Sequence, residues 1–432
     1  MKTLLATRRG RLLAFFFLYV TEGVPLGFTA TTIATQMRRQ GVDPAEIGAF
    51  VGLLYLPWAW KWVAGPFVDL VSSVRFGRRR TWIVVTQILM AGSLLATMAI
   101  DFATQIQLFS AIILVHNIFG ATQDVAIDAL ACETLEDDER GVANGVMFGG
   151  AYLGQAIGGA GVLFLLDQNV PFAWSYVIVV GAILAVLFFV STRLKELPWI
   201  RERSGSGLRA ATVELKRYTR EMLGAVFGSR TSILGIVFAL LPCGAHALSL
   251  SLLSNISVEV GLEDAEIARL TLCTTVLSAT FCVLGGWLSD RLGRRRVLGF
   301  AVVMTTLPVF YFAFCLDQAG WIMPIDMKAE ILPVAPESLV ASLWIAALFF
   351  AVFQGLMYGI RTAIFMDITR PAVAATQFTA YMALLNVTLS YTAAWHGAAV
   401  EKWGYPTTFT IDACAGLLCL LVLPFVRPSR SE

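Results

Sequence analysis

Twelve long apolar runs, nearly free of charge, punctuate this chain: about residues 11–36, 46–70, 82–101, 105–130, 141–166 and 174–192, then 229–255, 266–289, 298–316, 339–362, 374–400 and 406–427. Each can cross a hydrocarbon core about 30 Å thick. In lipid every backbone N–H and C=O must be satisfied within the protein, so such runs fold as helices. Composition agrees: 57% of the 432 residues are hydrophobic and 14% charged, against about 45–50% and 25% in soluble domains. The expected fold is therefore all-α and integral to the bilayer, with 12 transmembrane helices, numbered here as spans 1 to 12.

The runs fall as six, a pause, and six, giving a six-helix bundle over 1–192, a linker over 193–228, and a second six-helix bundle over 229–432. The linker is polar and basic and carries Ser204-Gly205-Ser206-Gly207; a periodic stretch from Leu208 to Phe227 reads as an amphipathic helix on the inner leaflet. With both termini cytoplasmic, the only basic residues of the 32 left outside are Arg38, Arg39, Arg269, Lys328 and Lys402, with Lys61 inside a span. The positive-inside rule therefore sets the orientation. Arg8, Arg9 and Arg11 ahead of an apolar stretch imitate a signal peptide, but that stretch runs on to about Gln36 with no cleavage-site pattern, so it reads as a retained first span. The balance of 32 basic against 30 acidic residues gives no reason to expect nucleic acid. The seven cysteines are scattered, with no CxxC pair, and read as small packing residues.

The two halves repeat a loop. After span 2 the chain reads Gly65-Pro66-Phe67-Val68-Asp69 and then Gly77-Arg78-Arg79-Arg80; after span 8 it reads Gly285 through Asp290-Arg291-Leu292-Gly293-Arg294-Arg295-Arg296. A carboxylate at a helix end, a glycine turn and a basic cluster can make contacts with a neighbouring helix that break when bundles rock. Asp69, Gly77, Arg78, Arg79, Asp290, Arg291, Gly293, Arg294 and Arg295 are thus inner-gate candidates, the plainer reading being arginines placed by topology. The second copy closely resembles the loop motif of the major facilitator superfamily, GxLxDRxGRRR; the first is looser, with extra residues between Asp69 and the arginines. The resemblance implies the fold of that family.

Ionisable groups within spans are costly and mark a pathway or an internal pair. Glu22 lies near the middle of span 1, just ahead of Pro25, which stands between Gly23 and Gly27; this reads as a broken helix with a carboxylate at mid-membrane depth. On span 4, Asp124 and Asp128 share a helical face, with Asn117 on nearly the same line. Glu22, Asp124 and Asp128 are candidates for proton coupling; the alternatives are a structural glutamate, and an Asp128 paired with inner-loop arginines. Lys61 on span 2 is a candidate for charge balance or substrate binding, by pairing with Glu22 or Asp124 or by snorkelling. Arg361, with Asp367 just beyond it, occupies the second-half counterpart on span 10, read as charge balance, substrate contact or inner gate. Asn117, Gln123, Tyr152, Gln155, Gln354, Tyr358 and Asn386 are candidate cavity-lining residues. His116, His246 and His396 sit singly on three spans and read as hydrogen-bonded packing. Gly150, Gly154 and Gly158 form a small-residue ridge on span 5. That stretch is similar to the span-5 motif of drug/proton antiporters, but Gln155 stands in place of its proline. No nucleophile with a base, metal cluster or phosphate loop is apparent, so neither catalytic residues, metal nor cofactor are expected.

Three passages resemble one branch of the superfamily, the AmpG-type permeases: Glu22-Gly23-Val24-Pro25-Leu26-Gly27; Leu56-Pro57-Trp58-Ala59-Trp60-Lys61-Trp62 with the Gly65–Asp69 stretch; and Ala121-Thr122-Gln123-Asp124-Val125-Ala126-Ile127-Asp128 leading to Glu139-Arg140-Gly141. In the second half the similarity rests on Gly261 to Ala268 and the loop after span 8. That branch includes proton-driven importers of muropeptides, siderophore-uptake permeases and acetyl-coenzyme A transporters. The resemblance implies a proton-coupled importer of a bulky polar solute in the bacterial inner membrane, working by alternating access, with protons as coupling ion and the monomer as the working unit. Span 5 lacks the GYR-type arginine of muropeptide permeases, and Asn144-Gly145 to Gly154 looks more like the siderophore relatives. Drug efflux and a sensor without turnover complete the alternatives.

Overall fold

The computed structural model describes residues 4–70, 76–136, 139–196, 228–369 and 374–426, with scattered positions between 212 and 224. Apart from those positions, the linker, with the expected amphipathic helix over 208–227, lies outside the described residues. Each apolar run is largely helical in the described residues. Among the described residues, nine helices are long and apolar enough to cross a bilayer unaided, the last of them, Gln377–Phe425, holding both spans 11 and 12. Gly404, at φ +78°, marks the turn between those two. Span 2 is helical over Pro44–Ala59 and Ala64–Leu70, with a 3-10 turn at Lys61–Val63 between. Span 7 is split into Arg230–Leu240 and Ser251–Glu259.

By packing the chain falls into two units, residues 1–29 with 60–220 and residues 30–59 with 221–432. Chain order divides the helices six and six; packing draws its boundary through spans 1 and 2. The first unit has a core of Phe15, Leu18, Ile83, Ile127, Leu130 and Met147, and the second one of Phe238, Leu298, Ile360, Phe365 and Tyr381.

Span 1 begins with Thr7, whose hydroxyl accepts from the Gly10 amide, and stays α-helical through Pro25 to Gly27. The irregularity expected at Pro25 appears just after it, as a π-helical stretch over Phe28–Ile33. The Thr29 hydroxyl donates to the Pro25 carbonyl at 2.8 Å. A proline costs one helical N–H, and in a packed membrane helix a hydroxyl and a local π adjustment absorb the mismatch without a break.

The span-5 ridge is a backbone contact. A side chain at Gly150, Gly154 or Gly158 would run into the carbonyls of Phe16, Val20 and Val24, and one at Gly23 or Gly27 into those of Ala151 and Gln155. Spans 1 and 5 therefore lie backbone against backbone. In the second unit Gly355 and Gly359 on span 10 do the same against Ser278 and Cys282 on span 8.

The cysteines depart from expectation. Cys243 and Cys419 are buried, whereas Cys132, Cys273 and Cys414 are exposed on the protein surface, as small residues facing lipid can be.

Candidate functional site

Four of the singled-out residues meet in the first unit. The Lys61 ammonium lies 2.6 Å from Asp124 Oδ2 and 3.7 Å from Asp128 Oδ2. Helical spacing puts both aspartates on one face of Ile106–Thr134, and the 3-10 turn in span 2 presents the lysine to that face. Asp128 is held from the other side by the Tyr19 hydroxyl at 2.7 Å, so it pairs with a lysine and a phenol. Glu22 stands one helical turn beyond Tyr19, within electrostatic reach of Asp124, Asp128 and Lys61. Its Oε1 is buried with no hydrogen-bond partner among the described residues. Two carboxylates thus share one ammonium, with a third close by. Burial is graded: the side chain of Asp124 is 7% exposed and that of Asp128 45%.

The polar residues around them divide. Gln123 is fully buried and ties span 4 to span 1 through a 2.7 Å bond from its Nε2 to the Thr21 hydroxyl, which is a helix tie and not a lining position. Asn117 is buried, its Nδ2 without a partner among the described residues. Tyr152 and Gln155 are half-buried on span 5, and Gln354 and Asn386 are half-buried in the second unit. Asn386 donates to the Met382 carbonyl of its own helix. Tyr358 is exposed.

Arg361 is not part of that cluster. It is buried in the second unit, where Nη2 donates to the carbonyls of Phe238, Ala239 and Leu241 at 3.0 to 3.1 Å. Those carbonyls close the first half of span 7, and a cation at a helix C-terminus is where the backbone dipoles favour it. Asp367 pairs instead with Arg294 at 2.6 Å.

The repeated loops share a glycine conformation. Gly77 and Gly293 have φ of +97° and +93°, a region only glycine adopts without strain, and each directly precedes an arginine helix start. From the first loop Arg79 reaches Glu133 at the C-terminal end of span 4, at 2.8 Å, with Arg78 at 3.7 Å. From the second, Arg294 reaches Asp367 at the C-terminal end of span 10. The Glu196 carboxylate accepts the amides of Arg78, Arg79 and Arg80, capping the helix of span 3. Arg291 stacks over Trp287, and Arg295 donates to the Pro424 carbonyl. The side chains of Asp69 and Asp290 lie outside the described residues.

Several charged groups escape sequence reasoning. Arg38, at the C-terminal end of span 1, forms an ion pair with Glu259 at 2.6 Å in which both side chains are buried, and Tyr405 donates to the same carboxylate at 2.7 Å. Arg39 pairs with Asp264 at 2.7 Å. At the N-terminal end of span 1 Arg11 binds Glu139 at 2.7 Å and Glu136 at 3.0 Å. The Arg11 guanidinium holds the Glu139 carboxyl below the usual glutamate range. Asp412 lies buried within span 12. A sequence can show that such residues sit near span ends; which acid meets which base across a hundred or more residues is set by packing.

The fold and the repeated loop define a class: the chain belongs to the Major Facilitator Superfamily, whose pattern it matches over residues 12–245 and 234–432. It is a multi-pass membrane transporter and not an enzyme. Within that family it is distantly related to the anhydromuropeptide permease of Escherichia coli K12, with 26% identity over 410 residues covering 93% of this chain and 77% of the relative. It is also similar to putative transporter AmpG 4 of Rickettsia conorii, with 24% identity over 350 residues, 78% of this chain and 80% of that one. In fold it resembles a D-xylose–proton symporter, with a TM-score of 0.73 over 98% of both chains at 13% identity. The nucleoside transporter NupG gives 0.69 over 96% of this chain and 98% of the other at 12% identity.

Proposed function

We propose that the chain is a proton-coupled importer of a bulky polar solute of the muropeptide class, working by alternating access in the bacterial inner membrane with both termini in the cytoplasm. The observation that carries the coupling is the imbalance around Lys61: one ammonium faces Asp124 and Asp128, with Glu22 nearby and half unpartnered. Three ionised carboxylates against one ammonium leave two uncompensated negative charges in a low-dielectric interior, which is strongly unfavourable. A proton on one of them removes one of the two. Asp128, the most exposed, is the natural entry, Asp124 the residue that competes for Lys61, and Glu22 a further acceptor. The arginine loops around Gly77 and Gly293 would serve as inner-gate latches, made and broken as the cycle turns.

The substrate class rests on the relatives at 26% and 24% identity whose names refer to muropeptide transport or to AmpG. The test is accumulation in proteoliposomes under an imposed inward proton gradient, offering labelled anhydromuropeptide and an iron-loaded siderophore in parallel. Gradient-dependent uptake of the muropeptide supports the reading; uptake of the siderophore alone moves the substrate to that branch. Uptake of neither by folded protein rejects import and favours efflux.

A further inference from the structure

The second unit holds a buried acid that the proposed coupling cluster does not use. Asp412 on span 12 and His396 on span 11 are 2% and 0% exposed, with His396 Nε2 2.8 Å from Asp412 Oδ1. The other carboxylate oxygen accepts two backbone amides, those of His246 at 2.8 Å and Ala247 at 2.9 Å. Both amides belong to the stretch where span 7 leaves its helix, between Leu240 and Ser251. One carboxylate therefore joins two helices to the break in a third.

Neutral acceptors and one cation satisfy much of the rest of that break. Thr305 accepts the Ala245 amide, Gly416 the Gly244 amide, and Arg361 covers the last carbonyls of the first half-helix. A hydroxyl or an amide side chain would cap the remaining two amides without bringing a charge into the membrane interior, where charge is expensive. The imidazole has capacity to spare: with Nε2–H donated to the carboxylate, Nδ1 is a basic lone pair, buried and without a partner among the described residues. His116 shares the unpartnered ring nitrogen, at Nε2, but its other nitrogen leans on the neutral Met90 carbonyl and Ser93 hydroxyl in place of a carboxylate.

We propose that His396 and Asp412 form a second proton-binding site, in the second unit, whose occupancy is read by the interrupted span 7. A proton taken up at His396 Nδ1 converts a neutral imidazole beside a carboxylate into an imidazolium beside a carboxylate. The pair changes from one net negative charge to none, and its loss returns the charge to Asp412. The amides of His246 and Ala247 bind the carboxylate most strongly when its charge is uncompensated, so protonation loosens the anchor that fixes the break. The other charged or titratable groups that bear on the pair are the His246 imidazole, which sits against the Gly244 carbonyl, and Arg361 from span 10, whose charge reaches His246. Span 9 meets span 12 here through Phe312 and Phe409, and span 2 meets span 11 through Gly48, Ala393 and Gly397, all uncharged.

The direct test is nitrogen-15 NMR of the full chain, labelled at histidine, in lipid nanodiscs; its three histidines are assigned with His116→Gln, His246→Gln and His396→Gln. Over a scan from about pH 5 to 8, the expected result is a reversible change of the His396 Nδ1 signal between its neutral and protonated forms, displaced in Asp412→Asn. The wild-type titration needs no variant that risks misfolding. The step is expected to persist in Glu22→Gln, because the two sites lie in different units. A His396 that keeps one neutral tautomer across this range in folded protein overturns the second site and leaves the Glu22 and Asp124 proposal standing. Loss of coupling in Glu22→Gln with an intact His396 step supports both.

Discussion

The two units treat buried charge in opposite ways. In the second, the pairs outside the proposed His396 and Asp412 site are well supplied: Glu259 by Arg38, Tyr405 and the Ile325 amide, and the Arg361 Nη2 by three carbonyls. In the first, Asp124, Asp128 and Glu22 compete for Lys61, and an oxygen of Glu22 is left over. A saturated network is a fixture, since breaking it strands a charge. An under-supplied one can exchange a partner for a proton at little cost, which is the property a coupling site needs.

That contrast can be broken at its saturated end first. Arg38→Met leaves Glu259 buried and uncompensated, and is expected to lower stability by roughly 3–5 kcal/mol, the usual cost of removing one partner of a buried pair. Thermal unfolding in detergent checks it, and Arg38→Met with Glu259→Gln should recover much of the loss. Next is the span 1 to span 5 contact: Gly154→Leu forces side-chain atoms against the Val20 carbonyl and is expected to cost about 1–3 kcal/mol, again read by thermal unfolding, with transport falling because Glu22 shifts with its helix. Glu22→Gln should do the reverse of both. With no hydrogen bond at Oε1 to lose, its stability is expected to stay within about 0.5 kcal/mol of the parent, while gradient-driven accumulation disappears.

The smallest effect is at the inner surface. Glu139 is held below the usual glutamate range by the Arg11 guanidinium. A carboxyl lowered in the folded state contributes stability above its unfolded value and loses it as pH falls through the folded one. The stability gap between wild type and Glu139→Gln should therefore be present at neutral pH and close under acid conditions below the glutamate range, as followed by melting temperature against pH.

Much of the fold was legible because lipid is an exacting solvent: apolar length alone marks a helix, and the glycines of the repeated Gly-Arg-Arg-Arg loop, Gly77 and Gly293, share a positive φ. The glycine ridge of span 5 was equally readable, since only close packing explains glycine at every fourth position. In the site, the shared face of Asp124 and Asp128 follows from helical period, and the meeting with Lys61 was one of two pairings open to that lysine. What escaped has a physical reason. Tyr19 and Thr21 look like ordinary interior residues until span 4 is laid against them. Asp412 was hidden in a run apolar enough to absorb one acid, and the split of span 7 depends on acceptors from spans 9 and 12 and on donors from spans 10 and 11. Arg361 was placed by analogy with the first half, whereas it serves a helix end that only the fold reveals.

The central claim, that the acids around Lys61 carry the coupling proton, is tested most directly in proteoliposomes by comparing wild type with Glu22→Gln in two assays on the same preparation. One is uphill accumulation of labelled anhydromuropeptide driven by an inward proton gradient; the other is exchange of that solute at equal concentrations without a gradient. The account predicts exchange retained and uphill accumulation lost in the variant. Accumulation that survives in Glu22→Gln, and again in Asp124→Asn, would contradict it.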